Sequence, residues 1–181
     1  MRAPRDSRWW MLVAGYVVAL FAMQPRLGFV VDAIKERWGV RAFEQVMLAA
    51  AVGAGLAFAL VAWRLWRRAS QLDRGLLLVA AALYVVGTAL LEIPQERLHY
   101  VEYGLLAGLI YVVCRREGVG TPASIVIAIA VTSTFGYLDE FLQGALWERR
   151  YFDWRDVQLN AQAAVLGTVA AVPLERTVRR R

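Results

Sequence analysis

The chemistry available to this chain lies in two short polar stretches. The first is Glu96-Arg97-Leu98-His99-Tyr100-Val101-Glu102-Tyr103, which holds the single histidine of the sequence. On a helix, positions 96, 99 and 103 share a face, with Glu102 about one residue round the turn. Glu96 or Glu102 can then fix the tautomer of His99 or strengthen it as a base, which is what a general acid or base requires. The second stretch sets Asp139, Glu140 and Gln143 at the end of one apolar run and Asp153, Asp156 and Asn160 at the start of the next. Glu148, Arg149 and Arg150 lie in the connection between them, and Arg155 stands between Asp153 and Asp156. Polar groups at the ends of membrane spans are costly to hold, and by default they mark a functional site.

Candidate catalytic groups are therefore His99, Glu96, Glu102 and Glu140. Glu96-x-x-His99 has the ligand spacing of carboxylate-bridged two-metal bundles, but those need two such motifs and the chain has one histidine. The sequence predicts no metal and no cofactor. The alternative is one divalent ion on the oxygens of Asp139, Glu140 and Asp156. A purely structural reading also accounts for the same residues: Asp153 or Asp156 caps a helix, and Asn160 hydrogen-bonds across helices.

The elements that must position these residues belong to a membrane. Of 181 residues, 59% are hydrophobic and the mean hydropathy is +0.45, well beyond the usage of a soluble domain. Uncharged intervals run over 9–25, 45–63, 75–91, 103–114, 118–138 and 157–174. A bilayer core needs about 17 to 25 mostly apolar residues per helix, so the fourth interval suffices only if extended back to Leu98. The expected fold is an all-α polytopic transmembrane bundle of six spans, with five as the fallback because Gln24-Pro25-Arg26 cuts the first one short. Leu27, Val30, Val31, Ile34 and Trp38 fall on one helical side over 27–41, which predicts a short amphipathic helix lying in the interface. The chain divides into a two-span extension with that helix (1–74), a helical core (75–174) and a basic tail (175–181).

With six spans, thirteen of the 21 Lys and Arg fall on the side of the termini, which places both termini in the cytoplasm. The acids distribute oppositely, eleven of 15 on the outer side. All seven tryptophans land at span ends or in loops, as an aromatic belt requires. The net charge of +6 is scattered over short loops, which argues against nucleic acid and for anionic headgroups facing Arg64 to Arg74 and the Arg-rich tail. Residues 1–24 lack the small-residue cleavage pattern of a signal peptide and read as an uncleaved span. Gly53, Gly55 and Gly87 read as points of close helix approach. Cys114 is the only cysteine, so no internal disulfide forms. There is no P-loop, no G-x-S-x-G and no paired-cysteine motif.

The combined pattern resembles the VanZ-like membrane proteins. The matching residues are Glu96, His99, Glu102 and Tyr103, then Asp139, Glu140, Gln143, Arg150, Asp153, Asp156, Asn160 and Gly167, within roughly 75–174. The Pro-Gly that often precedes the family's arginine is absent, with Trp147-Glu148-Arg149 in its place, so either Arg149 or Arg150 is the equivalent. The resemblance implies a bacterial inner-membrane protein of the cell envelope, associated with glycopeptide (teicoplanin-type) resistance. It gives a process rather than a reaction. Two functions of different class follow for the outer-facing set. One is binding of a cell-wall precursor or other lipid-linked ligand without turnover. The other is an intramembrane hydrolase or transferase in which His99 and one carboxylate are indispensable. A transporter would gather its polar groups at the midplane instead.

Overall fold

The computed structural model describes residues 7–91, 93–94, 96–146 and 150–180. Its elements are α1 (Ser7–Trp38), α2 (Val40–Trp66), α3 (Gln71–Ala89), α4 (Glu96–Arg116), α5 (Thr121–Leu146) and α6 (Trp154–Arg179), with no strand among the described residues. The all-α expectation holds. Four helices, α2, α3, α5 and α6, are long and apolar enough to cross a membrane, and α1 makes a fifth if its two segments count as one span. Only 11% of the most apolar window of α2 is buried inside the protein. The remainder is an outward surface of leucine, valine and alanine that lipid, not water, would solvate.

Proline does not end α1. The helix runs on through Pro25, and segments Ser7–Arg26 and Gly28–Trp38 meet at 48°. Loss of one backbone donor and the crowding of the pyrrolidine ring bend the helix without stopping it. The stretch expected to be a separate amphipathic helix is thus the second half of α1. Gly39, at φ 85°, turns the chain into α2, a conformation that a side chain would resist.

The charged helix α4 is enclosed by the others. Tyr100, Tyr103, Leu106, Ala107, Ile110, Tyr111 and Val113 are all buried, so protein covers most of this helix, Glu96 fully and Arg97 and Glu102 in part. Its main partner is α6. A Cβ placed on Gly167 would collide with the backbone of Gly104, and one on Gly108 would lie 3.6 Å from Cβ of Ala171. Gly104-x-x-x-Gly108 therefore packs against Gly167-x-x-x-Ala171, the small-residue arrangement that lets membrane helices touch at the backbone. On α5, a Cβ on Gly136 would come within 2.6 Å of Cβ of Asn160. The glycines singled out in the sequence behave differently: nothing lies within 4 Å of a Cβ at Gly53 or Gly55, while Gly87 makes room for Tyr100.

The far ends of α3, α4 and α6 are joined by charge. Ser70 caps α3 by accepting from Asp73 N at 3.1 Å. Asp73 is itself buried and pairs with Arg180 at 3.2 Å and Arg176 at 3.9 Å. Glu175 is held between Arg115 and Arg179. Arg64 to Arg74, Arg115 and the tail thus share one end of the bundle, as the charge reading grouped them.

The glycine contact yields a direct test. Gly167→Ala should destabilise the detergent-solubilised protein by about 1 to 3 kcal/mol, the usual cost of overpacking, measured by denaturant titration. Gly53→Ala and Gly55→Ala should leave stability unchanged or raise it. Equal losses at all three would mean that the α4–α6 contact has no special status.

Candidate functional site

The opposite end of the bundle brings together the first turns of α4 and α6 and the last two turns of α5. Asp153 is extended (φ −121°, ψ 114°) and caps α6, its Oδ1 accepting from Arg155 N at 2.8 Å. Of the two capping candidates, Asp153 takes the role, which leaves the carboxylate of Asp156 free to face inward. Glu96 opens α4 and pairs with Arg155 Nη2 at 3.2 Å.

The tautomer of His99 follows from its neighbours. Asn160 Nδ2 donates to the Gly136 carbonyl at 3.4 Å, which turns Asn160 Oδ1 toward His99 Nδ1 at 2.8 Å. An amide oxygen only accepts, so Nδ1 carries the hydrogen, and in the neutral ring Nε2 keeps its lone pair. Asn160 fixes the ring, rather than Glu96 or Glu102 as the sequence suggested. The ring also stacks on Tyr103 one turn later, with centroids 6.0 Å apart and planes 5° from parallel.

Tyr103 extends the network to α5, its hydroxyl donating to Asp139 Oδ2 at 2.8 Å. Asp139 Oδ1 is buried without a hydrogen-bond partner. One residue on, Glu140 Oε1 accepts from Gln143 Nε2 at 3.2 Å. Asp139, Glu140, Gln143 and Asn160 are all nearly inaccessible, at 0%, 1%, 2% and 0% exposure. His99, Glu140 and Asp156, one residue from each of three helices, bring one donor atom apiece within 4.8 Å of one another. This trio shares Glu140 and Asp156 with the oxygen-only set considered from the sequence, while Asp139 accepts from Tyr103.

The remaining sequence candidates lie around this trio. Glu102 is half-buried on α4, and its backbone carbonyl accepts from the Tyr16 hydroxyl at 3.0 Å, tying α1 to the site end. Arg150 is exposed, and Arg149 lies outside the described residues. Arg150 lines a recess of about 530 Å³ with Tyr137, Phe141, Phe152 and Trp154. Its aromatic walls stack edge to face, Phe152 against Trp154 at 5.0 Å and Tyr137 against Phe152 at 5.9 Å. Gly144 permits this, since a Cβ there would lie 2.8 Å from Phe152 N. Sequence reasoning assigned Trp154 to a belt and missed the recess, although Tyr137 and Phe141 are spaced i, i+4 on one face of α5.

No family model, curated protein or solved structure matches the chain. What the site can do therefore follows from its own geometry. An imidazole with a free Nε2 beside two carboxylates can accept a proton from a bound hydroxyl or water, or can bind a cation. The adjoining recess offers aromatic faces and one guanidinium, a combination suited to a headgroup bearing phosphate or sugar.

The single histidine makes the tautomer measurable. In the ¹⁵N-histidine-labelled protein in micelles, NMR should find His99 protonated at Nδ1. Asn160→Leu should release that preference, and leaving the imidazole donor unpaired should lower stability by about 1 to 3 kcal/mol. A dominant Nε2–H form in the native protein would contradict the geometry.

Proposed function

We propose that this chain is a VanZ-like integral membrane protein of the bacterial cytoplasmic membrane, acting at the outer surface on a lipid-linked cell-envelope ligand. In this reading α1 to α6 all cross, α4 shielded by its neighbours, and the Gly28–Trp38 segment rests in the outer interface. Both termini are cytoplasmic, which sets the arginine-rich end inward and the His99 end outward. The envelope process is one that lowers susceptibility to teicoplanin-type glycopeptides.

The observation that carries the reading is the meeting of His99, buried Glu140 and half-buried Asp156 beside a recess lined by aromatics and Arg150. A lipid-linked ligand can lay its headgroup against Arg150 and the rings while its chain stays in the bilayer along the exposed Tyr137 and Phe141. Arg150 is exposed and acts on Asp139, Glu140 and Asp156 only from a distance, which leaves its guanidinium able to meet an anionic group. Binding without turnover is the primary reading. A hydrolase or transferase is the second, favoured by the free Nε2 of His99, the feature that a general base needs.

Near-isosteric substitutions separate a site from helix-holding polarity. His99→Gln, Glu140→Gln and Asp156→Asn should keep detergent-extracted yield and melting temperature close to the native values. Teicoplanin protection in a sensitised host should nevertheless be lost. Parallel loss of yield and protection in all three would favour a structural role. Graded losses would support binding, and an all-or-none loss at His99 with one carboxylate would support turnover.

The orientation is checked separately. Reporter fusions at Ser70 and Arg150 should report cytoplasmic and external locations respectively. The same side for both would overturn the six-span arrangement.

A further inference from the structure

We infer that His99, Glu140 and Asp156 bind a divalent first-row transition-metal ion of the zinc type, leaving a coordination position open for an oxygen of the ligand. The open position rests on the reading proposed above, whereas the ion does not.

Four observations converge on it. The three donors come from three different helices and lie within 4.8 Å of one another. A zinc-sized ion sits about 2.0 to 2.2 Å from nitrogen and oxygen donors, so closing the trio on an ion takes side-chain shifts of roughly 1 Å.

The histidine is prepared as a ligand. Its Nδ1–H donates to Asn160 Oδ1 at 2.8 Å, which leaves Nε2 for the cluster. Metal-bound histidines characteristically donate their second ring nitrogen to an oxygen in this way, and the metal-bound carboxylates are in turn hydrogen-bonded. Gln143 does the latter for Glu140.

Charge requires a partner here. Asp139 and Glu140 are buried and Asp156 half-buried, and Arg150, the cation that acts on all three, does so from beyond ion-pairing distance. Buried charges are paired or coordinate metals. Finally, Asp156 Oδ1 is itself buried and has no hydrogen-bond partner. It is an unmet acceptor in the trio.

The imidazole selects the class of ion. Magnesium and calcium prefer all-oxygen sets, whereas a set of one nitrogen and two carboxylate oxygens suits zinc and its neighbours. Three protein ligands with one position left open is the form of a catalytic zinc site rather than a structural one.

The test uses tag-free, chelator-stripped full-length protein in detergent, titrated calorimetrically with Zn²⁺ alone and with Mg²⁺ alone. One Zn²⁺ should bind per chain, at least about 100-fold more tightly than Mg²⁺. His99→Gln, Glu140→Gln and Asp156→Asn should each weaken Zn²⁺ by at least about 10-fold, and the exposed Asp32→Asn should not. X-ray absorption at the zinc edge needs no variant, and it should find one imidazole with oxygens and no sulfur. No stoichiometric Zn²⁺, equal affinity for Mg²⁺, undiminished affinity in the three variants, or a sulfur ligand would each overturn the ion. The two readings fail separately. Zinc binding by the native protein with teicoplanin protection intact in all three variants would sink the envelope reading and keep the ion. Loss of protection in variants of a protein that binds no zinc would do the reverse.

Discussion

The backbone contact between α4 and α6 at Gly104 and Gly167 sets the rest of the structure. A side chain on Gly167 would meet the main chain of Gly104, so the two helices cannot slide past one another while the contact holds. Both helices run from the His99 end to the arginine-rich end, with α5 returning between them. Counting back from the contact, five residues on α4 reach His99 and seven on α6 reach Asn160, about 7 to 11 Å at 1.5 Å per residue. The crossing thereby fixes the register of the His99–Asn160 hydrogen bond. Gly136 supplies the third side, letting α5 approach Asn160 and give it a carbonyl acceptor.

The two ends of the bundle treat buried acid in opposite ways. At one end Asp73 and Glu175 are each met by two arginines. That charge is neutralised internally and ties three helices together. At the other end, the one ion pair among the described residues is between Glu96 and Arg155, and Arg150 acts on Asp139, Glu140 and Asp156 only from beyond ion-pairing distance. Desolvating a carboxylate without compensation costs several kcal/mol. A bundle that meets its acids with arginine at one end meets Asp139 and Glu140 at the other with hydrogen bonds from Tyr103 and Gln143.

Enclosure explains why the most polar of the helices is also central. Helix α4 fails an apolar-span criterion that four others pass, because its environment is protein on most sides. The surfaces that face outward, Trp63, Leu90 and Phe29 among them, belong to the helices that surround it. Polarity in the middle and apolarity outside follow from the same requirement, that lipid cannot satisfy a hydrogen bond.

Much of this was legible in the sequence. Apolar runs located the helices, the distribution of arginines grouped their ends, and helical spacing put Glu96, His99 and Tyr103 on one face. These are local properties, set by periodicity and by the cost of charge in lipid. The sequence misjudged Pro25, because whether a proline stops or bends a helix depends on what supports the far segment. It also misread the glycines: Gly53 and Gly55 look like packing positions, but whether a small residue meets another helix is a property of the partner. Only the tertiary structure decided that Asp153 caps α6 while Asp156 turns inward. It alone decided that Asn160, not a glutamate, orients His99, and that His99 joins Glu140 and Asp156. Those choices depend on the angle and register at which three helices meet, and one-dimensional spacing carries no information about either.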